Sequence, residues 1–226
     1  MVWLPQDAWA GRPLTNLAPG EAADAALRIF CTPRLSQWRP ANHPRLTERA
    51  RRYLHTAEWR RIATPVAELQ TYTFVPGMMP VRGTVLVIHG WTGEASFMTA
   101  VGEAIRRAGF RVVLFDLPAH GLSEGRATNL MDCARAAVYL AERIGAIDAI
   151  VTHSFGSMIA LLAIEGAPPM PWPLAGVKAL ALVSSPNRLS GITAAFADHW
   201  QLPAPARRAF EHRLERIGRR SIDTLN

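Results

Sequence analysis

Between residues 83 and 183, four apolar runs of strand length alternate with helical patterns, and this alternation narrows the architecture more than any other feature of the chain. The runs are 83–88, 111–115, 149–151 and 177–183. Between them, Phe97, Val101, Ile105 and Ala108 mark one helix face. Leu130, Cys133, Ala134, Ala137 and Leu140 mark a second, and residues 155–164 are apolar nearly all round. A stripe at helical spacing suits a helix laid on a sheet, and an all-round apolar helix suits one packed beneath it. Helical crossovers force the strands they join to run parallel, and right-handed crossovers put helices on both faces. Upstream, Leu69, Thr71, Thr73 and Val75 alternate with Gln70, Tyr72 and Phe74, as in one more strand. The expected fold class is α/β: a mostly parallel central sheet with helices on both faces. Such sheets bind ligands beyond the carboxyl ends of their strands. His89-Gly90-Trp91, Asp116 and Ser154 all fall there.

Ser154 stands where a buried strand turns directly into an apolar helix. Such a turn strains its central residue and exposes the side chain above the sheet. The first amides of the helix point at whatever sits there. A hydroxyl so placed suits a nucleophile, because charge developing during attack meets fixed donors. The local pattern is G-x-S-x-G with one departure: Gly156 fills the second glycine position and Thr152 stands at the first. A β-branched residue is stiffer and bulkier than the turn favours. The competing reading is a serine N-cap opening an ordinary core helix.

Charge and cysteine usage narrow the partners. The net charge is +7, and Lys178 is the only lysine. The arginines are dispersed and not interleaved with aromatics, so solvated helix faces are expected and no nucleic-acid partner. Cys31 and Cys133 lack metal-ligand spacing and read as buried thiols of a reducing, cytoplasmic compartment. The first residues do not form a basic segment followed by an apolar run, and no stretch has the ~18 uninterrupted apolar residues of a membrane span. No H-E-x-x-H, Cys/His cluster, dinucleotide fingerprint or P-loop lysine is present, so no cofactor and no metal are expected.

The ordered set His89-Gly90-Trp91, Asp116-x-Pro118-x-His120-Gly121-x-Ser123 and His153-Ser154-Phe155-Gly156 resembles the α/β-hydrolase superfamily, most closely its serine hydrolases with an H-S-F-G elbow. The resemblance runs over about residues 65–226. It implies that Ser154 is the nucleophile and that the backbone N–H groups of Phe155 and Trp91 are oxyanion donors. It implies supporting roles for His89, Gly90, Asp116, His120 and Gly156. Upstream of it, the spacing of Leu46, Ala50, Leu54 and Ala57 predicts a helix over 43–63. The chain is therefore expected to divide into an N-terminal arm and helices packing on the core (1–64), an α/β-hydrolase core (65–186) and a helical lid- or cap-like segment (187–226). The resemblance also implies two further strands after the lid, followed by the triad acid and then the triad histidine. The sequence stops at Asn226, before them, so a C-terminally incomplete fold is expected. His153 reads better as a packing group than as a base, and an Asp198–His199 or His212 substitute site is disfavoured.

The function this implies is a serine hydrolase acting on small carboxylic esters or thioesters through an acyl-enzyme on Ser154, impaired because the triad acid and base are absent. The alternative is a non-catalytic binding or interaction protein of the same fold. An unfinished sheet leaves an exposed edge, which suits a homo-oligomer.

Overall fold

The computed structural model of the chain describes residues 13–33, 44–77 and 80–224. They form two compact units. One, Thr32–Pro186, holds the sheet. The other joins the residues up to Cys31 to those from Asn187 onward.

The strands of the sheet unit are β1 (Glu58–Ala63), β2 (Glu68–Phe74), β3 (Thr84–Ile88), β4 (Arg111–Phe115), β5 (Ala149–His153) and β6 (Ala179–Val183), in the order β1-β2-β4-β3-β5-β6. β1 pairs antiparallel with β2, and β2 with β4; β4, β3, β5 and β6 run parallel. In the parallel part, Ile88 stands opposite both Phe115 and Thr152, and His153 stands opposite Val183. The carboxyl ends of four strands therefore lie side by side.

The helices of this unit are α2 (Pro44–Leu54), α3 (Thr99–Arg107), α4 (Leu130–Ile144) and α5 (Phe155–Glu165). α5 packs against α4, β3 and β5. Val85, Val87, Val112 and Leu114 form a buried cluster with Leu54 of α2 and with Ala95 and Met98 of a short 3-10 turn before α3. Alternate residues of a strand point to opposite faces, so this cluster and the α4–α5 layer cover the two sides of the sheet. α4 opens on Asn129, whose side chain accepts from the Asp132 N–H at 2.9 Å, and closes at Gly145.

One element departs from the sequence reading. The helix expected over residues 43–63 ends at Leu54, and Glu58–Ala63 is a strand. The helical spacing of Leu46, Ala50, Leu54 and Ala57 runs past the true end because the stop is made by a contact outside the pattern. The Trp59 indole donates to the Leu54 carbonyl at 2.7 Å and satisfies an orphan acceptor of the last turn. Its ring then stands edge-on to Tyr72 of β2 at 4.9 Å.

In the helical unit, α1 (Pro19–Phe30) packs on α7 (Ala204–Gly218), with α6 (Leu189–His199) completing the group. Ala22, Ala23, Ala25 and Ala26 give α1 a smooth buried face. Phe30 stands edge-on to Phe196 and Phe210, with centroids at 5.0 and 5.4 Å. Arg213 bonds Asp24 at 2.6 Å and the Gly20 carbonyl at 3.2 Å. Among the described residues no helix is long and apolar enough to cross a membrane.

Candidate active site

Ser154 joins β5 to α5 with φ 52° and ψ −122°. A non-glycine residue at positive φ costs on the order of 1–3 kcal/mol and persists only where its surroundings enforce it. Here the Ser154 N–H donates to the Val183 carbonyl at 2.9 Å, at the end of β6. Ser154 occupies the N-cap position of α5, yet its hydroxyl makes no capping bond. The competing N-cap reading therefore fails, and the half-buried hydroxyl is left for other work. Gly156 must be glycine: a Cβ there would stand 2.7 Å from the His89 carbonyl oxygen and 2.8 Å from that of Ile88. The start of α5 thus rests directly on the end of β3. Thr152, the misfit of the motif, is fully buried and has a use. Its hydroxyl lies 2.8 Å from that of Ser157 and donates to the Ala181 carbonyl at 3.3 Å.

The loop after β3 comes up against this turn. A Cβ on Gly90 would lie 3.1 Å from both Ser154 Cβ and His153 Nδ1, so the backbone passes close beside the serine. The Trp91 ring meets Phe155 edge-on at 5.0 Å and His120 at 5.0 Å. His89 is buried. Its Nε2 accepts the Leu117 N–H at 3.0 Å, so Nδ1 carries the proton and donates to the Gly90 carbonyl at 2.7 Å. Burial holds its pKa down at about 4. His120 repeats the arrangement in reverse. Nε2 accepts the Thr92 N–H at 3.3 Å and Nδ1 donates to the Pro118 carbonyl at 2.9 Å. Burial, then the neighbouring His89, lowers its pKa to about 3. Each ring braces the turn from which the other comes. Asp116 accepts from the Ala95 N–H at 2.7 Å, the Leu122 N–H at 2.9 Å and the Tyr72 hydroxyl at 3.0 Å. Burial, the largest influence on this carboxyl, raises its pKa despite those bonds.

A strained serine on a strand–helix turn, beside a glycine-containing loop braced by two neutral histidines, is now in place. The sequence profile of the alpha/beta hydrolase family matches residues 85–224, well over half of the chain. The chain belongs to that family. Solved structures agree on the fold. The chain is similar to Est1E from Butyrivibrio proteoclasticus, solved with ferulic acid, at 21% identity and a TM-score of 0.52 over 60% of this chain and 56% of that one. It is similar to epoxide hydrolase VrEH1 from Vigna radiata at 18% identity and a TM-score of 0.51, covering 64% and 48%. A thioesterase domain from the curacin biosynthetic pathway gives 18% identity and a TM-score of 0.49, covering 64% and 54%. The chain spans about half the length of these structures. No curated relative matches the sequence.

In this α/β-hydrolase chain, Gly90, Trp91, His120, Ser154, Phe155 and Gly156 all gather at the same strand ends. His89 and His120 have both ring nitrogens engaged, which removes them as bases for the serine. His153 is exposed beside Ser154. Within the described residues of the sheet unit, no imidazole hydrogen-bonds the Ser154 hydroxyl. In the helical unit, Asp198 pairs with Arg207 at 3.5 Å, and His212 Nδ1 lies 3.8 Å from the Glu215 carboxylate. Among the described residues no three His, Cys, Asp or Glu side chains converge to hold a metal ion. Tyr72 and Glu94 carry no mark in the sequence pattern. Both act across more than forty residues of chain, and local spacing holds no trace of such contacts.

Proposed function

We propose that the chain is a serine hydrolase of small carboxylic esters or thioesters, with Ser154 as the nucleophile. The observation that carries this is the uncapped Ser154 hydroxyl at positive φ beside the Gly90 backbone. In this reading Ser154 Oγ attacks the acyl carbon. The carbonyl oxygen takes up the electron pair of its π bond and is met by the N–H groups of Phe155 and Trp91. Collapse expels the alcohol or thiol, and water then releases the acid from the acyl-serine. Preorganised donors of this kind are worth about 3–4 kcal/mol each in the transition state. The edge-on rings of Trp91 and Phe155 offer an apolar wall to the acyl group. The reaction needs an acceptor for the serine proton, and a hydroxyl without one attacks slowly at neutral pH. The structural histidines 89 and 120 do not fill that role.

The test is labelling with a fluorophosphonate followed by peptide mass analysis. An adduct on the peptide carrying Ser154, lost in Ser154→Ala, is expected. Modification at other serines with Ser154 unmodified would rule the nucleophile out. A binding role without turnover is the second reading, favoured by the Ser154 hydroxyl having no imidazole partner in the described sheet unit. It predicts that an ester binds and is never cleaved.

A further inference from the structure

Helix α2 reaches into the loop after β3 through one ion pair. Arg51 Nε donates to Glu94 Oε1 at 2.7 Å and Nη2 to Oε2 at 2.8 Å. The Glu94 carboxylate also accepts the Ser96 hydroxyl at 2.5 Å. Glu94 is buried, while more than half of the Arg51 side chain is exposed. A two-pronged guanidinium–carboxylate contact fixes both direction and distance, which a single point charge does not. Glu94 ends the loop that begins at His89. Three side chains from outside the loop therefore hold consecutive parts of this segment: His120 at the Thr92 N–H, Arg51 at Glu94, and Asp116 at the Ala95 N–H.

The helix end of the contact is itself fixed. Leu54 is buried in the core cluster, Tyr53 stacks on Phe74 at 5.0 Å, and the Tyr53 hydroxyl donates to Glu103 of α3. Arg51 is thus anchored through α2 to the body of the sheet unit. Cutting the pair leaves a mostly buried carboxylate without its two-pronged partner, and the segment must relax to hydrate it.

We propose that Arg51 and Glu94 are positioning residues for the reaction at Ser154, holding the segment 89–94 so that the Trp91 amide keeps its place as an oxyanion donor. This rests on the reading of Ser154 and Trp91 given above. Neither residue touches the substrate; both act through the loop. A displacement of about 1 Å at a catalytic group costs on the order of a hundredfold in rate.

The experiment compares the full chain with Arg51→Met, Arg51→Lys and Glu94→Gln. It measures the saturation kinetics of fluorophosphonate labelling at Ser154, amide hydrogen exchange of residues 89–96, and the thermal midpoint. In Arg51→Met and Glu94→Gln the maximal labelling rate is expected to fall about ten- to hundredfold. The half-saturating reagent concentration should stay within about twofold, because reagent binding is not at stake. Exchange of 89–96 should quicken while that of β5 stays constant at a temperature where every variant is folded. Arg51→Lys keeps the charge and loses the fork, so it should recover only part of the rate. A merely structural pair would move the midpoint and leave the rate per folded molecule unchanged, and that result overturns the proposal. Unchanged exchange in 89–96 overturns it too. If the unsubstituted chain gives no Ser154 adduct, the nucleophile reading fails first and carries this proposal with it. An adduct at an unaltered rate in Arg51→Met sinks the proposal alone.

Discussion

Gly156 and Thr152 flank Ser154 two residues away on either side, and they show what a local pattern does and does not reveal. Gly156 was legible, because a tight strand–helix turn leaves no room for a side chain. Its reason is the pair of carbonyl oxygens, from Ile88 and His89, that a Cβ would strike. These are backbone atoms at the end of a central parallel strand, so the helix rather than the strand must move. Gly156→Ala is expected to destabilise the sheet unit by about 1–3 kcal/mol and to abolish Ser154 labelling. Gly191 is the control: it is exposed in α6, and a Cβ added there would meet nothing within 4 Å, so Gly191→Ala should stabilise by about 0.5–1 kcal/mol. Urea unfolding of the three proteins checks both signs. Thr152 was not legible in this way. The pattern marks it as too bulky, and only the fold reveals that its hydroxyl meets Ser157 and the Ala181 carbonyl, turning a misfit into a satisfied buried group.

Among the elements, the central parallel strands and α4 were readable from their apolar runs and spacing, and α5 from being apolar nearly all round, because they pack against the two faces of the sheet. α3 was read as a helix, but the face chosen for it was not the buried one, since Phe97 and Val101 stand 46% and 37% exposed. β1 was not readable, since its side chains are mostly exposed and the helix before it is stopped by a tryptophan bonded back to Leu54. The two turns at the strand ends were recognisable as motifs, but their mutual bracing was not: His89 reaches the turn after β4, and His120 the loop after β3. That bracing has a pH signature. Both rings are held neutral, with pKa values of about 4 and about 3 against an ordinary value near 6.5. Below pH 6.5 the unfolded chain therefore binds protons that the folded chain refuses. Stability is flat above that pH as far as these rings are concerned, and it is lost as pH falls from about 6.5 toward 4, by on the order of 3 kcal/mol per ring. Asp116, whose carboxyl is shifted upward by burial, works in the opposite sense. Urea midpoints at pH 7.5, 6 and 5 should decline in that order. A His120→Gln variant should show a shallower decline, and an unchanged slope in that variant would remove His120 from the account.

At the scale of the molecule, the chain distributes its cores differently from its sequence order. Each strand–helix repeat announces its neighbour, because short crossovers pack consecutive elements together. Nothing comparable announces that α1 packs on α7, almost the whole chain away, so the composition of the helical unit had no local signal. Its core is nonetheless specific. Phe210 is fully buried, meets Phe30 edge-on, and stands 5.4 Å from Phe196. The alanines of α1 let that helix come close to α7, and the aromatic group fills the space at its end. Truncating the central ring removes partners from both neighbours at once, and a site closed by alanines on one side has little large side chain available to collapse into the gap. Phe210→Ala should therefore cost about 3–5 kcal/mol, at the upper part of what core truncations show. The sheet unit has its own buried cluster around Val85, Val87, Val112 and Leu114. The loss is then expected to be local: amide exchange should accelerate in α1, α6 and α7 and stay unchanged in β3, β4 and β5. Faster exchange throughout the sheet in Phe210→Ala would mean that the two units unfold as one, and the separate cores would then not be separate in energy.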